Sequence, residues 1–214
     1  MIQKTLRCNL FELVLWGDYQ LERQEKTKIW TFQSAAQLQV LLRNGVLYGD
    51  WMQIGLSSEQ EMAYRSMCRM MASRKLSCGN HPPIWAWHSC GAYQQAPDAK
   101  VARMLLSDHQ LNNQIMLLSL ECSADQMLLS DYSTWCQLFY SSITAIEYAA
   151  MGMAVPSEEQ KERLLLTIDY TGLDSDVLVQ ATLPCISKEF LVEARQVVLD
   201  NNEVCVLDQP YLLW

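Results

Sequence analysis

Four side chains of the types that bind zinc lie close together in the sequence: Cys78, His81, His88 and Cys90 fall within thirteen residues. Structural zinc sites hold their metal in a tetrahedron of such ligands, which usually come from two tight turns. Here Cys78 and His81 lie in a Gly-Asn-His-Pro-Pro turn, whereas His88 and Cys90 would share one face of a strand. We therefore predict no metal site, and a zinc-stabilised binding module is the third of our hypotheses.

Nucleophilic catalysis has few candidates in this chain. A serine or cysteine nucleophile paired with histidine could use only His81, His88 or His109, and no nucleophile motif lies beside them. The sequence also lacks G-x-x-x-x-G-K, G-x-G-x-x-G, H-E-x-x-H and G-x-S-x-G. These absences argue against a P-loop enzyme, a Rossmann oxidoreductase, a zincin and an α/β-hydrolase.

A polar pair precedes the first predicted helix. The run KIWTFQ, residues 28–33, is typical of a strand and places Thr31 and Gln33 on one face. Ser34 and Gln37 form a capping-box pattern that starts a helix. Gly45 follows as a left-handed stop.

A second helix is predicted to begin at Ser58, with Glu61 completing its capping box, and to end near Arg74. One face of it is rich in methionine, which is typical of a buried face and also of an adaptable partner-binding surface. The methionines are Met62, Met67, Met70 and Met71.

Strands and helices alternate along the rest of the chain. Residues 84–88 (IWAWH) favour a strand with Trp85 and Trp87 on one face, and residues 115–121 favour a central strand because they are almost continuously apolar. The remaining predictions are a strand at 126–130, a long helix capped by Asp131 that ends by Gly152, a helix from Pro156 to Ile168, a strand at 176–182, a short helix from Ser187 and a strand at 204–207. This order predicts one α+β domain with a mixed central sheet over residues 28–214, after an extension at 1–27.

Composition limits the class of protein. Half of the 214 residues are hydrophobic, with seven Trp and nine Tyr, so the chain can bury a core. Twenty-four acidic against 16 basic side chains, a net charge of −8, argue against a protein that coats nucleic acid through its phosphates. No membrane-spanning run or secretion signal is evident, so we expect a cytoplasmic protein with reduced cysteines and no membrane partner.

Residues 29–51 resemble the opening of DarT-like ADP-ribosyltransferases. In that family a strand carrying a polar pair precedes a helix of the form N-L-x-x-I-L-x-x-G-x-L, which QLQVLLRNGVL at residues 37–47 resembles. Thr31 and Gln33 occupy the positions where the family usually has His and Thr, and the pair helps to hold NAD. The resemblance thus implies an ADP-ribosyltransferase-like fold with NAD as a substrate.

Residues 175–186 (SDVLVQATLPCI) resemble the strand that carries the catalytic glutamate of these transferases, and residues 116–135 resemble their paired strands. The resemblance implies that Asp176 stands at the glutamate position with Gln180 as helper, and Glu121 is the next candidate. The other implied residues are Arg69 or Arg74 for the diphosphate, and Trp30, Trp85, Trp87 or Tyr132 for stacking on nicotinamide or adenine.

The resemblance implies a bacterial toxin or phage-defence effector that acts on a protein or a single-stranded nucleic acid, accompanied by an antitoxin or chaperone partner. The alternative is an inactive transferase-like scaffold that serves as a protein-interaction module, because His and Glu are both replaced. The WTFQ, PIWAW and LLSDY motifs, within residues 30–132, also resemble an uncharacterised bacterial domain family that implies no activity.

Overall fold

Nine strands are present in the computed structural model, which describes residues 26–137, 150–152, 154, 156–168, 177–200 and 203–211. They are β1 (Lys26–Ser34), β2 (Val46–Leu47), β3 (Ile84–Cys90), β4 (Ile115–Ser123), β5 (Leu128–Asp131), β6 (Leu178–Leu183), β7 (Ile186–Ser187), β8 (Leu191–Asp200) and β9 (Glu203–Pro210). Seven of these strands form one sheet in the order β5-β6-β3-β1-β4-β8-β9, and β2 pairs with β7. With the helices, they form a single α+β domain.

Every neighbouring pair in the large sheet is antiparallel, so the prediction of a mixed sheet was wrong. The almost continuous apolar run of β4 had indicated a strand covered on both faces, which is typical of parallel sheets. The structure does cover β4 on both faces, because its first six residues are all buried. Burial on two faces therefore arises here without parallel pairing.

Seven helices accompany the strands within the described ranges. They are α1 (Ala35–Asn44), α2 (Trp51–Ile54), α3 (Ser58–Ser73), α4 (Ala99–Leu105), α5 (Asp108–Leu111), α6 (Tyr132–Trp135) and α7 (Glu158–Leu166), with short 3-10 turns at Ala124–Gln126 and Lys188–Phe190. None of the described helices is long and apolar enough to cross a membrane.

The predicted start and end of α1 are confirmed. The Ser34 hydroxyl accepts a hydrogen bond from the Gln37 backbone amide, and the Gln37 side chain accepts one from the Ser34 amide at 3.0 Å. Gly45 adopts φ +78° and donates its backbone N–H to the Leu41 carbonyl. These local patterns specify the helix because each one satisfies backbone groups that the helix itself leaves unpaired.

The residue that caps α3 is Ser57, one position before the predicted Ser58, and Gln60 completes the capping box. Its methionine-rich face is part of the core, where Met67 and Met71 are fully buried. Met62 is the exception, with 61% of its surface exposed. Most of this face is thus used for packing.

The two faces of the large sheet have different cores. On one face, Ile29 and Leu118 pack with Leu38 and Leu41 of α1. On the other face, Trp30 packs near α4 and α5, and Trp85 packs against a cluster that includes residues of α3 and α6. The end of β1 therefore lies between separate helical layers.

Two further predictions need correction or extend outside the described residues, and one observed strand was not predicted. Lys26 and Thr27, assigned above to the extension, belong to β1 and pair with β4, whereas residues 1–25 are outside the described ranges. Strand β8 was not predicted at all. Asp131 does cap a helix, by accepting the Thr134 amide at 2.6 Å, but residues 138–149 of the predicted long helix are outside the described ranges.

Candidate functional site

A cleft of about 500 Å³ lies where β1 ends and where β3 and β4 begin. Its volume is within the usual range for small-molecule sites, roughly 300 to 1,000 Å³. Its lining combines aromatic rings with side-chain amides. The described lining residues that carry such groups are Phe32, Gln33, Gln37, Gln53, Tyr64, Trp85, His109, Gln110 and Asn113.

Gln33 is linked to the backbone of Trp85 through Thr31. The Thr31 hydroxyl donates to the Trp85 backbone carbonyl at 2.7 Å, and the Gln33 amide nitrogen donates to the Thr31 oxygen at 2.9 Å. Thr31 is itself fully buried. It therefore positions its neighbours, while the Gln33 carbonyl oxygen has no protein partner among the described residues and can accept from a ligand.

The aromatic wall of the cleft is held by ring contacts. The ring centroids of Tyr64 and Trp85 are 5.3 Å apart at 84°, and those of Trp85 and Trp135 are 4.8 Å apart at 46°. Edge-to-face contacts of this kind add to the stability that burial alone provides. Trp85 is consequently a packed residue that also contributes to the wall of the cleft.

The described lining of the cleft contains no lysine or arginine, and Asp50 is its one carboxylate. Asp50 already caps α2 by accepting the Met52 amide at 2.9 Å. A phosphate group would find neither lysine nor arginine in this lining, although these side chains are the usual means of binding it. The chemistry of the cleft suits an uncharged planar group that exchanges hydrogen bonds with amides.

A second cavity of about 640 Å³ adjoins the cleft and shares Gln37, Gly49, Asp50 and Gln53 with it. A Cβ atom on Gly49 would lie 2.9 Å from Cγ of Pro82 and even closer to the Pro82 carbonyl oxygen. Only glycine fits between the two cavities without displacing the loop.

Gln180, the predicted helper of Asp176, does not share a face of the sheet with Thr31 and Gln33. Trp30 pairs with Trp87, and Trp87 pairs with Gln180, so these three side chains share one face of the sheet. Thr31 and Gln33 point to the other face, because side chains alternate along a strand. Gln180 is 2% exposed, and its carbonyl oxygen accepts from the Ser130 hydroxyl at 3.1 Å.

Asp176, the predicted catalytic carboxylate, lies outside the described residues. Strand β6 begins two residues later at Leu178, which pairs with Cys90 at the end of β3. The cleft is at the start of β3, where Ile84 lines it. Cys90 lies six positions after Ile84, which corresponds to about 20 Å along a strand. The described start of β6 is therefore far from Gln33.

Arg69 and Arg74 do not lie beside the cleft with Gln33. Arg69 lines a separate cavity of about 190 Å³ that also contains Glu158 and Glu162. The Arg74 guanidinium donates to Glu162 at 2.8 Å. Carboxylates so close to both arginines, in so small a cavity, make this a poor site for a diphosphate.

The other predicted aromatic residues and Glu121 are not part of the cleft lining. Trp30 and Trp87 are each 6% exposed and lie in the core, and the Trp87 and Tyr132 rings pack edge to face with centroids 5.1 Å apart. Glu121 lies directly opposite Lys28 on the neighbouring strand. Of the predicted site residues that the structure describes, only Gln33 and Trp85 line the cleft, with Thr31 beneath them.

The four residues weighed for zinc have other surroundings. The His81 ring stacks on Tyr48 with centroids 4.6 Å apart, and its Nδ1 lies 3.1 Å from the Gly49 carbonyl oxygen. Cys78 is buried against Met71, and Cys90 is buried near the start of β6. Over the described ranges, no group of three or more His, Cys, Asp or Glu residues is placed to hold a metal ion.

His88 and Ser89 form a hydrogen-bonded pair, with 2.8 Å between His88 Nδ1 and Ser89 Oγ. The Gln94 amide nitrogen lies 3.3 Å from His88 Nε2, which it can reach only as a donor. The neutral imidazole therefore carries its proton on Nδ1 and donates to Ser89. In this arrangement the Ser89 oxygen accepts a hydrogen bond from a proton-bearing nitrogen, which is the opposite of general-base activation.

We expect His88 to make the protein less stable in mild acid. Burial lowers the pKa of His88 below its ordinary value, so the unfolded chain takes up a proton at higher pH than the folded one. The free energy of unfolding should therefore fall as the pH drops below about 6.5, until the lowered pKa is passed. In urea unfolding between pH 7.5 and 5, His88→Asn should show a shallower decline than the wild type, and identical slopes would refute this expectation.

Several lining residues were missed at the level of sequence. Gln53, His109 and Gln110 come from the short helices α2 and α5, which have too few residues for a hydrophobic period. One signal was present, because Ser107 and Gln110 form a capping box that can be read from the sequence. The position of α5 beside β1, in contrast, depends on tertiary contacts.

In comparisons with known proteins, the chain matches no family model, no curated protein and no solved structure.

Proposed function

We propose that this chain is a binding protein on a transferase-like scaffold, and that its cleft takes a planar, uncharged ring bearing a carboxamide. The nicotinamide end of NAD is such a group, and the family resemblance of residues 29–51 is what singles it out. The observation that carries the proposal is that Gln33 and Trp85 line the same cleft.

Hydrogen-bonding capacity supports this ligand class. A carboxamide offers one acceptor and two donors, and it can pair with another side-chain amide in both directions. Gln33 exposes its carbonyl oxygen because its nitrogen is engaged by Thr31. Asn113 and Gln53 supply further amides in the same lining. The rings of Phe32 and Trp85 provide apolar surface for a flat ligand.

Charge supports binding of the ring end of a dinucleotide in preference to its diphosphate. The described lining has neither lysine nor arginine, and the protein as a whole carries a net charge of −8. We therefore infer that any diphosphate lies outside the cleft, toward solvent. Free ADP-ribose, which lacks the nicotinamide ring, should bind poorly.

The biological role that follows from the resemblance is that of a toxin or phage-defence effector with a neutralising protein partner. The side chains of Thr31 and Gln180 lie on opposite faces of the sheet. This arrangement supports an inactive scaffold over an active transferase. An active ADP-ribosyltransferase is the second candidate, and it depends on Asp176 in the resemblance of residues 175–186.

Gln33→Leu is expected to weaken nicotinamide and NAD binding about tenfold. The substitution keeps the approximate size of the side chain and removes its amide, and about 1.4 kcal/mol corresponds to a factor of ten. Titrations followed by thermal unfolding measure this, because a ligand at 100 times its Kd stabilises the folded state by about 2.7 kcal/mol. Gln39→Leu is the matched control, since Gln39 is an exposed residue of α1 outside the cleft lining.

The titration contradicts the binding proposal if neither ligand raises the melting temperature, or if ADP-ribose does so as strongly as NAD. Equal loss of binding in Gln33→Leu and Gln39→Leu would show that Gln33 does not contact the ligand. Chromatographic measurement of nicotinamide released from NAD separates binding from chemistry. Release by the wild type that is lost in Asp176→Ala would favour the active transferase over the scaffold.

A further inference from the structure

Cys68, Met71 and Cys78 belong to one packed cluster at the end of α3. After the helix ends, Lys75 adopts φ +67° and the chain reverses, so that the Leu76 amide donates back to the Met71 carbonyl at 2.9 Å. This reversal brings the Cys78 sulfur to 3.7 Å from the Met71 sulfur. Cys68 lies one helical turn before Met71 and packs against the same cluster. The turn thus places a buried thiol beside a half-buried one.

The two thiols differ in exposure and in charge. Cys78 is 6% exposed, whereas Cys68 is half-buried and so can meet a small molecule from solvent. A hydrogen bond from the Cys78 thiol, aided by the charges of Arg65 and Arg69, lowers the pKa of Cys68 despite its partial burial. The same hydrogen bond, together with burial, raises the pKa of Cys78. Cys68 is accordingly the better thiolate and Cys78 the proton-bearing partner.

We propose that Cys68 is a site of oxidation by hydrogen peroxide, and that Cys78 resolves the oxidised form as an intramolecular disulfide. Cys68 is partly exposed, Cys78 is buried, and both belong to one packed cluster. A reactive thiol beside a second thiol is the arrangement that redox-sensing cysteines share.

The two steps consume one peroxide and release two water molecules. The Cys68 thiolate attacks one peroxide oxygen, the O–O bond breaks, and hydroxide leaves and takes a proton to become water. Sulfur is oxidised to sulfenic acid and peroxide is reduced. Cys78 then gives up its proton and attacks the Cys68 sulfur, the S–O bond breaks, and the departing hydroxyl leaves as the second water. A small dithiol reverses the product.

Oxidation would act on the loop that borders both cavities. Cys78 leads directly into Asn80, whose carbonyl accepts from the Trp51 indole at 2.9 Å, and into Pro82, which contacts Gly49. Bonding to Cys68 draws the Cys78 sulfur away from Met71 toward the preceding turn of α3. The wall formed by Asn80 and His81 in the second cavity would move with it.

Peptide mapping of the full chain after treatment with hydrogen peroxide tests the proposal. We expect a peptide pair that joins Cys68 to Cys78, has lost two hydrogen atoms in mass, and separates again with dithiothreitol. Cys78→Ser should accumulate the sulfenic acid, which dimedone traps on Cys68. In Cys68→Ser, peroxide consumption should slow about tenfold or more, and no dimedone adduct should form at Cys78.

The matched control is Cys122→Ser, because burial raises the pKa of Cys122 to about 12 and peroxide should not reach it. This variant should form the same Cys68–Cys78 bond as the wild type. Far-ultraviolet circular dichroism checks that each variant is folded. A bond between Cys78 and Cys185, the absence of any bond at Cys68, or unchanged peroxide consumption in Cys68→Ser would each overturn the proposal.

Discussion

Trp85→Ala is expected to lower the free energy of unfolding by about 3 kcal/mol, the lower end of the usual range for removing a large aromatic residue, because Trp85 is partly buried. The indole contacts Tyr64 and Trp135 and joins the strand layer to the cluster beside α3. Its loss would leave a cavity between these elements. Urea unfolding followed by circular dichroism measures the change.

Trp85→Phe is the matched control for this result. It keeps an aromatic ring and removes the Nε1–H group, which is buried without a partner among the described residues. Removing an unpaired buried donor is favourable, so part of the lost packing is offset, and we expect a cost of less than about 1.5 kcal/mol. If both variants cost the same, or if Trp85→Ala costs under about 1 kcal/mol, Trp85 does not hold the layers together.

Two identical substitutions on neighbouring parts of the sheet should act in opposite directions. Thr31 and Thr182 are both fully buried strand residues. The Thr31 hydroxyl makes two hydrogen bonds, whereas the Thr182 hydroxyl has no partner among the described residues. Thr31→Val should therefore cost about 1 to 3 kcal/mol, and Thr182→Val should be neutral or stabilise by about 1 kcal/mol.

Thr31→Ser completes the comparison because it retains the hydroxyl. Thr31→Ser should lose less stability than Thr31→Val, and its hydroxyl should still hold the Gln33 amide. We therefore expect ligand binding to be retained in Thr31→Ser and weakened in Thr31→Val. Denaturant titration of the variants, paired with the NAD titration, gives both quantities. Equal destabilisation by Thr31→Val and Thr182→Val would mean that neither hydroxyl's bonding matters to folding.

Helix boundaries were the most accurately predicted feature of this chain. Ser34 with Gln37, Gly45 and Asp131 all act where the patterns placed them, because a cap is a contact between residues no more than a few positions apart. The prediction for α3 missed by one residue for the same local reason, since Ser57–Gln60 and Ser58–Glu61 are both capping patterns.

Strand β8 was missed because its pattern is irregular. Glu193, Arg195 and Gln196 interrupt its apolar residues, and the pairing shifts register twice, near Ser119 on β4 and near Val197 on β8 itself. A bulge adds a residue and breaks the period of two from which strands are recognised. Its position next to β4 is a long-range contact that no local signal encodes.

The residues themselves determined where α1 begins and ends and which side chains alternate along β1, and they placed Gln33 beside the start of a helix. Only the tertiary structure decided that Gln33 and Trp85, whose side chains project from opposite faces, line one cleft at the end of the sheet, and that Gln180 lies farther along the face of Trp85, outside that lining. Alternation along a strand is a property of one segment, whereas the face that each strand shares with its neighbours depends on pairing between distant segments. Because of that pairing, Thr31 lies beneath the cleft, and Thr31 and Gln33 project from the opposite face of the sheet to Gln180.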